Sequence, residues 1–92
     1  MNILIFGGTR FVGKALVEKL LCKGHSLTLF TRGKKNIPEN VDHVKGDRNI
    51  IDDLMPIKDK SFDIIIDISG RTKEQTEIVL SIIGKPKYRF IY

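Results

Sequence analysis

The fold is decided by the stretch Ile3-Leu4-Ile5-Phe6-Gly7-Gly8-Thr9-Arg10-Phe11-Val12-Gly13. Its first four residues form an unbroken apolar run, which is typical of a strand that is buried on both faces. The glycines that follow separate this strand from a segment with helical periodicity. A glycine-rich turn between a strand and a helix predicts a site where backbone N–H groups and the helix dipole hold a pyrophosphate.

The spacing of the glycines fits such a ligand at the two outer positions of a G-x-x-G-x-x-G pattern. These positions are Gly7 and Gly13, where the missing Cβ lets the backbone approach the pyrophosphate and lets the helix pack against its strand. Arg10 departs from the pattern at the middle position, where its guanidinium can contact a phosphate or a ribose. A tight turn without a ligand is the alternative, but the strand–turn–helix context favours the binding site.

The rest of the sequence alternates between strand-like and helix-like segments. Apolar spacings of three and four predict helices over 11–23 and 72–83, and one or two helical turns over 49–55 that Pro56 ends. Short apolar runs predict strands over 2–6, 26–31, 41–45, 62–68 and 88–92. The alternation predicts an α/β fold, a doubly wound parallel sheet with strand order 3-2-1-4-5. Residues 1–92 are expected to be the N-terminal part of such a domain, truncated after strand five.

The composition excludes several classes of protein. With 41% hydrophobic and 29% charged residues, 92 residues suit one small globular domain and not a disordered or collagen-like chain. No apolar run reaches the roughly 18–20 residues of a membrane span, and no signal peptide is visible. A single cysteine suits a reducing compartment, so we expect a cytoplasmic protein. Cys22 is the only cysteine, and its apolar-periodic position predicts a buried thiol. The net charge of +5 suits an anionic partner such as a phosphorylated cofactor or nucleic acid.

The end of the second predicted strand indicates which dinucleotide the site prefers. NAD sites usually carry an Asp or Glu near this point, which bonds the ribose 2′-hydroxyl. Here Arg32 is followed by Gly33-Lys34-Lys35, with no acid. A guanidinium can pair with a 2′-phosphate, so NADP is favoured over NAD. A solvated basic loop is the alternative.

These motifs resemble the N-terminal part of the extended or atypical short-chain dehydrogenase/reductase superfamily, the NAD(P)-dependent epimerase/dehydratases, whose fold is Rossmann-like. The matching pieces are 3–13, 27–33, Gly46-Asp47-Arg48 and 62–70, together with the helix and strand that follow. The resemblance therefore covers the whole chain. The Gly-Gly-Thr-Arg-Phe-Val-Gly variant is similar to a sub-branch of nucleotide-sugar epimerase-like proteins that also includes the chloroplast stem-loop RNA-binding proteins.

The resemblance implies a set of cofactor-binding residues. It places Asp47, followed by Arg48, at the adenine amino group, and it places Ile68-Ser69-Gly70 beside the ribose and nicotinamide. A surface ion pair and a helix-entry turn are the respective alternatives for these two segments. The complete predicted set is Gly7, Thr9, Arg10, Phe11, Val12, Gly13, Arg32, Asp47, Arg48, Ile68, Ser69 and Gly70.

The catalytic motif of that family does not occur in the sequence. Its general acid/base is a Tyr-x-x-x-Lys pair, whereas Tyr88 is followed four places on by Tyr92. We therefore predict no catalytic residue, and His25 and His43 have no metal-ligand spacing. Asp52-Asp53 is interpreted as charge on a short exposed helix. The chain alone should be inactive.

Two functions remain open at this point. The resemblance implies the dinucleotide-binding portion of a nucleotide-sugar epimerase/dehydratase-like oxidoreductase, with a nucleotide-sugar-like substrate bound elsewhere in the protein. The alternative is a nucleotide-binding regulatory or RNA-binding protein on the same scaffold. The basic segments lack interleaved aromatic residues, which counts against RNA.

Overall fold

The elements follow the predicted alternation of strands and helices. The computed structural model describes residues 1–7, 11–33, 37–58, 60–68, 72–84 and 86–91. Its five parallel strands form one sheet in the order β3-β2-β1-β4-β5, so the predicted α/β fold and strand order are confirmed. The elements are β1 (Asn2–Phe6), α1 (Phe11–Cys22), β2 (Ser26–Thr31), β3 (Asp42–Lys45), α2 (Ile51–Lys58), β4 (Ile64–Asp67), α3 (Lys73–Ile83) and β5 (Arg89–Ile91).

The central strand β1 has a hydrophobic core on each of its faces, because successive side chains of a strand point to opposite sides. On one face, residues of the sheet pack with residues of α2 and α3; this core contains Leu4, Phe6, Phe30, Leu54, Ile57, Phe62, Ile65 and Val79. On the other face, they pack with α1; this core contains Ile3, Ile5, Val17, Leu27 and Leu29. Burial on both sides explains the unbroken apolar run of β1.

The side of α1 that packs on the sheet carries Val17. Gly13 and Val17 are buried, whereas Ala15 is exposed. Cys22 is also exposed, so the predicted buried thiol is wrong. At 3.6 residues per turn, Cys22 lies about 140° around the helix from Val17, which turns it away from the sheet.

The helix α1 ends at a glycine. Gly24 has a φ of +85°, a conformation that favours glycine. Its N–H donates to the Leu21 carbonyl at 3.0 Å, and the His25 N–H donates to the Leu20 carbonyl at 3.2 Å. These two bonds form a Schellman motif, which ends the helix and turns the chain into β2.

The prediction that Pro56 ends the second helix is wrong. The helix α2 begins at Ile51 and continues through Pro56 to Lys58. Leu54 and Ile57 are both 0% exposed. Burying an aliphatic side chain contributes about 1.5–3 kcal/mol, which is similar to the roughly 3 kcal/mol cost of proline inside a helix. Tertiary packing therefore offsets the local helix breaker.

The other boundaries lie close to the predicted ones. Strands β3, β4 and β5 are each shorter than predicted by one to three residues. Thr72 is the N-cap of α3, and its hydroxyl accepts the Gln75 N–H at 3.3 Å. Among the described residues, no helix is long and apolar enough to cross a membrane.

Candidate functional site

Several predicted site residues lie at the carboxyl ends of the parallel strands, a side of the sheet that is called here the carboxyl edge. Gly7 follows β1, Arg32 follows β2, Asp47 lies two residues after β3, and Ile68 follows β4. The chain order reverses between β1 and β4, because β2 and β3 lie on one side of β1 and β4 and β5 on the other. In open α/β sheets, ligands bind outside the carboxyl ends at this switch point.

The turn after β1 begins in a conformation suited to glycine. Gly7 has a φ of +96°, and its N–H donates to the Phe30 carbonyl at 3.0 Å. The helix α1 then begins at Phe11, with Val12 as its second residue and with Gly13 buried. The strand before the glycine-rich segment and the helix after it are confirmed, and the missing Cβ of Gly7 at this edge fits a phosphate group. The predicted contacts of Thr9 and Arg10 lie outside the described residues.

Arg32 and Asp47 meet at the ends of β2 and β3. The Arg32 Nη2 donates to Asp47 Oδ2 at 3.2 Å, with side-chain exposures of 75% and 31%. Such an exposed pair stabilises a protein by only about 0–1 kcal/mol, so the guanidinium remains accessible to an anion from solution. No acidic residue stands directly after β2 in the sequence. In the structure, however, Asp47, fifteen residues after Arg32, brings a carboxylate to the end of β2.

The loop that carries Asp47 is packed and hydrogen-bonded. The Asp47 N–H donates to Asp53 Oδ2 at 2.8 Å, and the Asn49 N–H donates to Asp47 Oδ1 at 2.9 Å. Behind them, the Gly46 N–H donates to the Thr31 carbonyl at 2.8 Å. The interpretation of Asp53 as exposed helix charge is wrong, because its carboxylate is half-buried and holds this loop.

Arg48 points into the interior below the same edge. Its guanidinium donates Nη1 and Nη2 to the two carboxylate oxygens of Asp67, the Nη2–Oδ2 distance being 2.7 Å. The guanidinium also lies over the Phe6 ring, 4.8 Å from its centroid. Sequence reasoning missed this buried partner of Arg48, and the contact of Arg48 with a cofactor stays a prediction. The signal for this partner was an acid at the end of an Ile-Ile-Ile run, since a buried carboxylate needs a cation.

The exit of β4 presents an apolar side chain to solvent. Ile68 is 42% exposed, and its N–H donates to the Phe6 carbonyl at 3.0 Å, which fixes its backbone against β1. Ser69 and Gly70 lie outside the described residues, so their contacts stay predictions.

His43 and Thr31 stabilise the exit of β2. The Thr31 hydroxyl donates to the Gly33 carbonyl at 2.6 Å, and the same oxygen lies 2.6 Å from His43 Nε2. Because the single hydroxyl proton goes to the carbonyl, His43 Nε2 must carry the proton of the second bond. No group of three or more possible metal ligands occurs among the residues that the structure describes.

Comparison with known proteins agrees with this geometry. Residues 3–80 match the NAD dependent epimerase/dehydratase family. The chain belongs to this family. The resemblance inferred from the motifs is thereby confirmed, and the family's dependence on NAD supports a nicotinamide dinucleotide as the ligand of the carboxyl edge.

Individual relatives are much longer than this chain. The chloroplast stem-loop binding protein of 41 kDa b of Arabidopsis thaliana is 39% identical over an alignment of 107 residues, which covers 99% of this chain and 28% of that protein. UDP-glucose 4-epimerase of Thermotoga maritima, solved with UDP-glucose, is 18% identical with a TM-score of 0.74, over 88% of this chain and 33% of that one. UDP-glucose 4-epimerase of Thermus thermophilus, in complex with NAD, is 20% identical with a TM-score of 0.67, over 91% and 31%. At these identities, the two structures show the shared Rossmann-like fold alone.

Proposed function

We propose that this chain is the NAD(P)-binding portion of a nucleotide-sugar epimerase/dehydratase-like oxidoreductase. The observation that carries the proposal is that Gly7, Arg32, Asp47 and Ile68 all follow the carboxyl ends of neighbouring strands, where open α/β sheets bind ligands. Membership of the family supports it, as does the fold shared with an epimerase solved with NAD. The nucleotide-sugar substrate is proposed from the names of the epimerases of the same fold.

Each described residue has a separate part in holding the dinucleotide. The N–H groups at the N-terminus of α1 bind the pyrophosphate. The Asp47 carboxylate accepts a hydrogen bond from the adenine amino group, and the side chain of Ile68 packs beside the nicotinamide ribose. When bound, the nicotinamide accepts or returns a hydride. Because no Tyr-x-x-x-Lys occurs in the sequence, we propose that these 92 residues bind the dinucleotide without catalysing a reaction alone.

The finer proposal is a preference for NADP, and it rests on Arg32. To bind a 2′-phosphate, the guanidinium must leave Asp47, which costs about 0–1 kcal/mol for such an exposed pair. Charge-assisted hydrogen bonds to a phosphate contribute about 1.5–3 kcal/mol. The gain exceeds the cost, so we expect NADP to bind about tenfold more tightly than NAD, or about 1.4 kcal/mol.

Titration calorimetry with NADP and NAD tests both the proposed dinucleotide site and the proposed preference for NADP. We expect Arg32→Ala to lose the preference for NADP and to keep its affinity for NAD. Lys58→Ala is the matched control, because it removes an exposed positive charge at the end of α2 and should change neither affinity. Equal affinities in the parent chain would refute the preference, and failure of both dinucleotides to bind would refute the site.

A second function, binding of stem-loop RNA, is favoured by one observation. The Arabidopsis relative with 39% identity is named for stem-loop binding, and the net charge of +5 suits a polyanion. A gel-shift titration with a stem-loop RNA at about 0.15 M salt, repeated with saturating NAD, separates the two functions. Binding of RNA but not of NAD would favour this second function.

A cytoplasmic location is part of the proposal. It rests on the free thiol of Cys22, which suits a reducing compartment.

A further inference from the structure

The buried ion pair between Arg48 and Asp67, called here the clasp, links two parts of the proposed site. We propose that Arg48 and Asp67 are positioning residues for the dinucleotide, which act through Asp47. This inference rests on the proposed function.

The geometry of the clasp is specific and almost fully buried. Two roughly parallel N–H···O bonds join the guanidinium to the carboxylate, and the side chains of Arg48 and Asp67 are 7% and 0% exposed. The guanidinium lies over the ring of Phe6, which is paired in register with Asp67 across β1 and β4. A planar guanidinium held on both oxygens can occupy only a narrow range of positions and angles.

Stability alone is a weak explanation for a charged pair at this position. The clasp adjoins the ring of Phe6, which belongs to the hydrophobic core between the sheet and helices α2 and α3. Removing two charges from water costs free energy that their attraction repays only in part, so apolar residues of similar volume often serve equally well. What the ion pair adds over apolar packing is a fixed geometry between the two segments that carry it.

Those two segments carry the opposite ends of the proposed site. Arg48 directly follows Asp47, the proposed adenine ligand, and Asp67 directly precedes Ile68, which is proposed to lie at the nicotinamide ribose. The clasp therefore joins the β3 exit to the β4 exit across the switch point. A second link runs parallel to it, because Gln75 Nε2 of α3 donates to Asn49 Oδ1 at 3.0 Å.

Two other contacts of the Asp47 loop bind it to neighbours on its own side of the sheet. Asp53 holds the Asp47 N–H from α2, and Thr31 holds the Gly46 N–H from β2. Neither of these contacts sets the distance from Asp47 to β4. After loss of the clasp, the loop is still linked to α3 by the exposed hydrogen bond between Gln75 and Asn49. That bond holds Asn49 and not Asp47, so we expect the loop to stay folded while the Asp47 carboxylate moves relative to the bound adenine.

The test replaces both charges together, by Arg48→Met with Asp67→Leu, which leaves no lone charge in the core. Each protein is titrated with NAD and with nicotinamide hypoxanthine dinucleotide, in which a carbonyl oxygen replaces the adenine amino group. We expect the parent to prefer NAD by about tenfold and the double variant to bind the two ligands nearly equally. A purely structural role would weaken both ligands and leave their ratio unchanged.

Two further variants complete the design. Lys73→Met with Glu77→Leu removes an exposed ion pair of α3, whose atoms are 3.8 Å apart, and should leave the ratio as in the parent. Arg48→Lys keeps the charge but can make only part of the paired contact, so its ratio should lie between those of the parent and the double variant. It also keeps the test decisive if the double variant fails to fold.

Amide hydrogen exchange reports on the clasp without any ligand. In the double variant, the Asp47 and Asn49 amides should exchange at least about tenfold faster, while those of Leu4 and Leu29 in the core strands stay protected. If the parent chain binds no dinucleotide, the proposed function is refuted. Faster exchange in the double variant would then still show that the clasp holds the Asp47 loop in place. In a chain that binds NAD, an unchanged ligand ratio in the folded double variant would overturn the inference, whatever its exchange rates.

Discussion

A methyl group at Gly46 is the most direct probe of the packing that places Asp47. The added Cβ would lie 2.8 Å from Asp53 Cβ and 3.0 Å from Phe30 Cζ. Phe30 cannot yield, because it is 3% exposed and its ring packs on that of Phe6 with centroids 5.3 Å apart. The strain must therefore move Asp53 and stretch its hydrogen bond to the Asp47 N–H.

The expected loss of stability follows from three contributions. Overpacking costs about 1–3 kcal/mol, and weakening a charge-assisted hydrogen bond costs part of its roughly 1.5–3 kcal/mol. Alanine also lowers the conformational entropy of the unfolded chain, which raises the free energy of unfolding by about 0.4–1 kcal/mol. We expect Gly46→Ala to lower the free energy of unfolding by about 2 kcal/mol, which for a domain of this size lowers the melting temperature by about 8–16 °C.

Thermal unfolding followed by circular dichroism measures this loss. Gly33→Ala is the matched control, since a Cβ there meets no atom within 4 Å, and its melting temperature should stay within about 4 °C of the parent's. If Gly46→Ala were as stable as Gly33→Ala, the close packing of the loop against Asp53 and Phe30 would be refuted.

Two other substitutions test the packing around the site. Pro56→Ala should raise the free energy of unfolding by about 1–2 kcal/mol, because the strain that proline causes inside α2 exceeds its entropic benefit. A free energy of unfolding below that of the parent, measured by urea denaturation, would contradict the account in which packing offsets this strain. Asp67→Asn should lower the free energy of unfolding by about 3 kcal/mol or more, because the buried guanidinium of Arg48 loses the carboxylate that neutralises it. A loss below about 1 kcal/mol in the same denaturation experiment would show that water reaches the clasp.

The fold could be predicted because its signals are local. The run from Ile3 to Phe6, the glycines after it and the helical spacing from Phe11 are properties of neighbouring residues, and parallel crossovers then restrict the strand order. Local rules failed where packing decided the outcome. Burial of Ile57 carries α2 past Pro56, and the placement of Val17 against the sheet leaves Cys22 in solvent.

The site could be predicted only in part, because its contacts join distant residues. Glycine spacing and the family resemblance indicated the residues at the carboxyl edge. The partners of their side chains could not be derived from spacing, since Arg32 lies fifteen residues from Asp47, and Arg48 nineteen from Asp67. An acid that ends a buried strand signals that a cation must lie nearby, but the sequence does not say which one.

The central claim is that a nicotinamide dinucleotide binds at the carboxyl edge, and a ¹⁵N-resolved NMR titration of this chain with NAD tests it most directly. We expect the amide shifts to be largest at Gly7, Gly13, Arg32, Asp47 and Ile68. The opposite edge of the sheet holds a surface pocket whose residues should not respond, among them His25, Asn40 and Asp42. Shifts confined to that pocket, or no shifts at millimolar NAD, would contradict the claim.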